Sequence, residues 1–106
     1  MYEGCPAELQ MRKTISADAV FDDGLYRCAV YKYDMEEDYI FLRLKEDGIE
    51  TISLDAKYQC CISTKTEQIL CTGVVKERFQ SEDGNILVFR IENGFYSVAE
   101  NKKEKL

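Results

Sequence analysis

The sequence predicts an all-β protein, a small antiparallel (split) β-barrel of about six to eight strands. Apolar and polar residues alternate with a period of two through most of the 106-residue chain, which is the pattern of strands with one buried face. Turn signals, most of which contain glycine, separate these runs at intervals of about 8 to 12 residues. Closure into a barrel removes the exposed edges of such short strands, so a barrel is favoured over a sandwich.

The first strand is predicted over residues 7–13, where apolar and polar side chains alternate. One face of this strand is therefore expected to be exposed to solvent. Residues 14–21 keep the same period but are also compatible with a single helical turn, and a strand is favoured there. Asp22, Asp23 and Gly24 predict a hairpin turn, because glycine readily adopts the positive φ that a tight turn requires.

Two more strands are predicted over residues 25–33 and 39–45, joined by an acidic connection. In the second of these, Ile40, Leu42 and Leu44 are expected to face the core. A turn ending in glycine follows. A short strand is then predicted over residues 49–54, which are rich in apolar side chains and precede Asp55.

The clearest pattern is a three-stranded meander over residues 57–91, with turns at residues 65–67 and 81–84. Its middle arm alternates strictly, so Arg78 is predicted to share a face with Leu70. A further turn, with one short pairing beyond it, is predicted where the last arm reaches an Asn-Gly dipeptide, at Asn93 and Gly94.

The chain is predicted to form one β-barrel domain over residues 1–98, followed by a charged flexible tail over residues 99–106. A chain of this length buries roughly two thirds of its unfolded surface. It therefore needs no metal or disulfide to hold a core.

The residue types present exclude several kinds of active site. The chain has no histidine, which removes Ser-His and Cys-His nucleophile pairs and most zinc sites. Its five cysteines are odd in number and lack Cys-x-x-Cys spacing, so we expect reduced thiols used as small apolar residues, with a redox role for Cys61 as the alternative. No glycine-rich loop opens a helix and no acidic run has calcium-loop spacing. We therefore predict no enzymatic activity, no cofactor and no metal.

The charge balance bears on the class of partner. Twenty acidic residues against 14 basic ones give a net charge of −6, which disfavours binding to nucleic acid and to anionic membranes but leaves local basic patches open. The first residues lack the pattern of a secretion signal, and no apolar run has the length of a membrane span. A cytoplasmic location is expected.

Four residues are predicted to contact a protein partner. Arg78 and Phe79 stand where the alternation of the middle arm stops, and Phe95 and Tyr96 follow the last predicted turn. Exposed aromatic rings beside arginine are typical of protein interfaces. The alternative is that these rings close one end of the barrel.

Three phrases carry a resemblance to a known family: ISLDAKY at residues 52–58, GVVKERF at residues 73–79 and LVFRI at residues 87–91. Together with the order of strands, they resemble the N-terminal domain of flagellar-brake proteins of the PilZ group over about residues 7–96. The resemblance implies a split β-barrel, which in that family is joined to a second barrel that binds cyclic di-GMP.

The ligand motif of that second barrel is missing here. It consists of an Arg-x-x-x-Arg pair and an Asp/Asn-x-Ser-x-x-Gly turn, in which guanidinium groups clamp phosphate and guanine. In this chain no arginine has another arginine four positions on. Ser81 and Gly84 keep the Ser-x-x-Gly part, but Phe79 stands in place of the acid or amide. Cyclic di-GMP binding is therefore not expected.

Two classes of function follow. The favoured one is a non-enzymatic regulatory or adaptor barrel that binds a protein partner or itself, in motility or cyclic-dinucleotide signalling. The alternative is a small-molecule or nucleotide binder that uses the barrel mouth. An oligonucleotide-binding barrel is less favoured, because the aromatic residues are not interleaved with a basic stripe.

Overall fold

The computed structural model describes residues 2–17 and 20–99, apart from the side chains of residues 95, 98 and 99. The fold consists of six strands: β1 (Pro6–Thr14), β2 (Leu25–Asp34), β3 (Tyr39–Leu44), β4 (Ala56–Ser63), β5 (Glu67–Ser81) and β6 (Gly84–Ala99). A 3₁₀ turn, Ile49–Thr51, lies between β3 and β4. Within these described ranges, no helix has the length and apolar character that crossing a membrane requires.

The strands close into a ring in the order β1-β2-β3-β6-β5-β4, and every neighbouring pair is antiparallel. The predicted all-β antiparallel barrel is therefore confirmed. β5 and β6 are its longest strands, at 15 and 16 residues. The first half of β6 pairs with β3, whereas its second half pairs with β5 alone.

The interior is filled by apolar side chains from all six strands. Tyr58 and Phe89 are the largest fully buried side chains. Every second residue of β4, from Ala56 to Ile62, is buried, as are the three residues of β3 that were expected to face the core. No charged side chain in the described part of the chain is buried, so the core carries no desolvated charge.

Gly73 lets β5 and β6 approach closely. A Cβ atom at this position would lie 1.9 Å from the backbone oxygen of Arg90, a distance at which atoms overlap.

Strand β6 contains two β-bulges. Glu92 and Phe95 have no partner in β5, so each is the extra residue of a bulge.

The strand predicted over residues 49–54 is wrong. Gly48 has a φ of 107°, and its carbonyl oxygen accepts hydrogen bonds from the backbone N–H of Thr51 at 2.9 Å and from the Thr51 hydroxyl at 2.7 Å. These local bonds wind the chain into a 3₁₀ turn. The turn positions Ile52, which is fully buried, at the end of the barrel.

The chain between β1 and β2 also differs from expectation. β1 ends at Thr14, and residues 15–17 and 20–21 form no strand, while residues 18–19 lie outside the described residues. Gly24 does not have a positive φ. The Asp22 carboxylate accepts hydrogen bonds from the Gly24 N–H at 2.8 Å and from the Tyr26 hydroxyl. The Asp22 side chain therefore holds the segment that leads into β2, and the predicted glycine turn is absent at residues 22–24.

The turn predicted at Asn93 and Gly94 is wrong as well. Both residues lie within β6, where they pair with Thr72 and Cys71. The φ of 86° at Gly94 accommodates the bulge beside it. Of the predicted C-terminal tail, Ala99 belongs to β6 and residues 100–106 lie outside the described residues.

A bulge in β5 overturns the predicted orientation of Arg78. Lys76 is an extra residue with no partner in β6, and one added residue shifts all later side chains to the other face. Arg78 pairs with Leu87, which belongs to the core. Arg78 therefore lies on the inner side of the sheet and does not share a face with Leu70.

Candidate functional site

The structure places three of the four predicted contact residues, Arg78, Phe79 and Tyr96, in different parts of the barrel. Arg78 lies beside the 3₁₀ turn, Phe79 lies on the outer face, and Tyr96 lies on the half of β6 that pairs with β5 alone. Phe95 is a bulge residue of β6, and its side chain falls outside the described part of the structure. Arg78, Phe79 and Tyr96 therefore do not form one surface.

Arg78 joins β5 to the 3₁₀ turn. Its Nη1 atom donates hydrogen bonds to the backbone oxygens of Glu50, at 3.3 Å, and of Ile52. Charge-assisted hydrogen bonds of this kind are stronger than neutral ones. The geometry gives Arg78 a structural contact at the barrel end, and its role in partner binding stays a prediction.

Phe79 belongs to an apolar strip on the outer face of the barrel. It lies opposite Ile86, which is 1% exposed although its side chain points away from the core. Val88, two residues on, is 7% exposed. Phe79 and Tyr31 are each 41% exposed, and the Tyr31 hydroxyl donates a hydrogen bond to Asp83 at 2.5 Å. The strip is therefore partly covered by its own neighbours.

A larger group of exposed apolar side chains lies where the β1–β2 connection meets the segment before β4. The backbone N–H of Ile15 donates to the Asp55 oxygen at 2.8 Å, which holds these two connections together. Five of the nine large apolar side chains found exposed in the described residues belong to this group. We call it the loop end, and it consists of Ile15, Val20, Phe21, Leu25 and Leu54.

Sequence reasoning missed the loop end because residues 14–21 fit the period of a strand. On that interpretation, Ile15 and Phe21 would be buried, whereas they are 56% and 53% exposed. The one signal in the sequence is Val20, which is apolar beside Phe21 and breaks the alternation.

The connections at the loop end are acidic. Tyr26 donates its hydroxyl hydrogen to Asp22, and burial together with this hydrogen bond raises the pKa of Tyr26. Arg27 pairs with Glu46 at 2.8 Å and so neutralises one carboxylate. Among the described residues, the carboxylates of the β1–β2 and β3–β4 connections at this end are those of Asp22, Asp23, Glu46, Asp47, Glu50 and Asp55.

The buried thiols are poorly suited to nucleophilic chemistry. Burial raises the pKa of Cys28 to about 12. Cys60 lies opposite Cys71, and the hydrogen bond between these two thiols, with burial, raises the pKa of Cys60 well above its ordinary value. A protonated thiol is neither a good nucleophile nor a metal ligand. Cys61, the candidate for a redox role, is half-buried on the outer side of β4.

The described residues also contain no group of three or more His, Cys, Asp or Glu side chains arranged to hold a metal ion.

Comparisons with known proteins add no relative to this chain. No protein-family model, no curated protein and no solved structure matches it. The resemblance of residues 52–58, 73–79 and 87–91 to flagellar-brake proteins therefore stays a prediction.

Proposed function

We propose that this protein is a non-enzymatic adaptor or regulatory β-barrel that binds a partner protein at the loop end. The observation that carries the proposal is the concentration of exposed apolar side chains there, among them Val20 at 83% and Phe21 at 53% exposure. Apolar patches rimmed by polar residues mark interaction sites. Covering such a patch is favourable by roughly 25 cal/mol for each Å² of apolar surface removed from water.

The charge of the loop end favours a basic partner. Among the described residues, six carboxylates lie in the β1–β2 and β3–β4 connections at this end against a single lysine, Lys45, and Arg27 pairs with one of them, Glu46. Two copies that met through their loop ends would place like charges against each other, which is unfavourable. A partner that presents apolar anchors among lysines and arginines therefore fits better than self-association.

A ligand inside the barrel mouth is less well supported. Apolar side chains fill the interior, and Arg78 ties the 3₁₀ turn to β5 at one end. A small molecule would have to displace packed side chains such as Tyr58 to enter. The protein-binding role needs no such change.

The proposal extends to a cellular context. The resemblance to the N-terminal domain of flagellar-brake proteins favours an adaptor in motility or cyclic-dinucleotide signalling, acting in the cytoplasm. The missing arginine pair favours a role as a partner of such a pathway over a role as its nucleotide sensor.

The proposal is tested by the double substitution Val20→Ser with Phe21→Ser, followed by crosslinking in cells and mass spectrometry. Both side chains are exposed, so the variant should keep the melting temperature of the wild type. We expect recovery of the partner to fall about tenfold or more, because central apolar anchors dominate interface energies.

Met35→Ser is the matched control. Met35 is 61% exposed and lies in the β2–β3 connection, at the other end of the barrel. It should leave partner recovery unchanged. A folded Val20/Phe21 variant that still captures the same proteins would show that the loop end is not the contact surface. A partner crosslinked through an acidic surface would refute the proposal that the partner is basic.

A further inference from the structure

We propose that a small ligand carrying a phosphomonoester or pyrophosphate group binds in a basic pocket on the outer wall of β1, β4, β5 and β6. The pocket has a volume of about 350 Å³, within the range of small-molecule sites. It is lined by Arg12, Lys13, Lys57, Thr72, Glu92 and Asn93.

A β-bulge in β1 brings the cations together. Arg12 has no partner in β4 and is the extra residue of the bulge. Arg12 and Lys13 therefore both lie on the outer wall of the barrel, beside β4. Lys13 is directly opposite Lys57. Like charges facing each other across two strands are destabilising. An anion bound between these side chains would remove the repulsion.

One carboxylate does not balance the cations. Glu92, one of the two bulge residues of β6, pairs with the Lys57 ammonium group. Arg12 and Lys13 have no carboxylate partner within residues 2–17 and 20–99. The strand register continues from Lys57 through β5 to Arg90, which adds a fourth cation to the same row.

The surrounding charge makes this row selective for a small anion. The chain carries a net charge of −6, so an extended polyanion would be repelled by most of the surface, whereas a compact anion meets only the local positive potential.

The polar groups of the pocket fit a phosphate group. The guanidinium of Arg12 presents paired donors that match phosphate oxygens, and the ammonium of Lys13 adds a point charge. Thr72 and Asn93 contribute a hydroxyl and an amide. No aromatic side chain lines the pocket, so it offers no stacking platform for a nucleobase. The phosphate group is therefore the part of the ligand that is recognised.

The test is a titration with inorganic pyrophosphate, followed by the backbone amide signals in NMR spectra. We expect saturable shifts confined to the residues that line the pocket. The double substitution Arg12→Gln with Lys13→Gln should weaken binding by about tenfold or more, because it removes two charge-assisted contacts. Both residues are exposed, so the variant should fold, and dispersed amide signals would confirm this.

Lys45→Gln with Lys65→Gln is the matched control, since it removes the same charge from exposed positions outside the pocket. It should leave the affinity nearly unchanged. Glu92→Gln should tighten binding about threefold to tenfold, because the competing carboxylate is lost. A purely structural role of the Lys57–Glu92 pair predicts no gain of affinity.

Further ligands separate the sources of the phosphate group. ADP should bind as pyrophosphate does, and adenosine should not bind. The proposal is overturned if the control variant weakens binding as much as the Arg12/Lys13 variant, if adenosine binds as well as ADP, or if a single-stranded oligonucleotide binds more tightly than pyrophosphate. Because the pocket and the loop end share no residue, failure of this test leaves the proposed protein-binding role unaffected.

Discussion

At the scale of single residues, burial controls the chemistry of the ionisable groups in the core. The thiols of Cys28 and Cys60 are fully buried, and their pKa values are raised. Burial likewise raises the pKa of Tyr58, whose hydroxyl accepts a hydrogen bond from the Ser53 N–H at 3.0 Å. Because the ionised forms are disfavoured in an apolar environment, these groups act as neutral packing residues at neutral pH.

The raised pKa of Cys28 predicts alkaline destabilisation. The unfolded thiol ionises near pH 9 and the folded thiol near pH 12. The contribution of Cys28 to stability is therefore fully present below pH 9 and is lost as the pH rises toward 12. The loss is about 1.4 kcal/mol per pH unit for one thiol, or about 4 kcal/mol over the whole interval.

Urea unfolding as a function of pH measures this effect. Above pH 9, the free energy of unfolding of Cys28→Ala should fall less steeply with pH than that of the wild type. The difference in slope should be about 1.4 kcal/mol per pH unit, the contribution of one thiol. Val30→Ala, which truncates a buried side chain of the same strand that does not ionise, should keep the wild-type slope. Equal slopes for the wild type and Cys28→Ala would contradict the prediction.

At the scale of elements, β-bulges decide where Arg78 and the side chains of the proposed phosphate pocket point. The bulge at Arg12 turns two basic side chains toward Lys57, the bulge at Glu92 supplies the carboxylate beside them, and the bulge at Lys76 turns Arg78 toward the 3₁₀ turn. Each bulge adds a single residue to a strand. Strict alternation along the sequence cannot locate such an insertion, since it depends on the partner strand.

Arg78→Ala tests the structural role of this arginine. Two backbone oxygens would lose their charged donor, so the free energy of unfolding should fall by about 1–2 kcal/mol. Hydrogen exchange at the Thr51 and Ile52 amides should accelerate, because the 3₁₀ turn is released from β5. Gln80→Ala, on the same strand and exposed, serves as the control and should change neither quantity. Unchanged stability with lost partner binding would support the sequence-based interpretation of Arg78 as a contact residue.

At the scale of the whole molecule, closure of the ring fills the interior of the barrel with apolar side chains. Both proposals therefore place recognition on the connections and the outer wall. The two proposals use these two surfaces, the loop end for a protein and the basic pocket for a phosphate group. Neither surface contains the paired arginines of a cyclic di-GMP motif.

Calorimetric titration with cyclic di-GMP tests whether the barrel binds this nucleotide without the arginine pair. We expect no saturable binding at concentrations where pyrophosphate saturates the pocket, because each phosphodiester carries one charge and no aromatic ring lines the pocket to stack a guanine. A dissociation constant of about 1 µM or less would mean that the missing arginine pair is not required.

Much of the fold could be predicted from the sequence. The strands around Leu42 and Tyr58 and the turns at Gly48 and Gly84 are confirmed, because alternation and glycine turns are local signals. The candidate site could not be predicted in the same way. Phe21 reads as a strand residue, yet it lies exposed in a connection of the folded chain.

The sequence by itself determined the class of fold, the absence of histidine chemistry and the excess of negative charge, since these depend on composition and on neighbouring residues along the chain. Only the tertiary structure decided that β1 closes the ring against β4, that Arg78 turns inward and that Lys13 faces Lys57. These features depend on the register between strands distant in sequence. A single extra residue changes that register and leaves almost no trace in the local pattern.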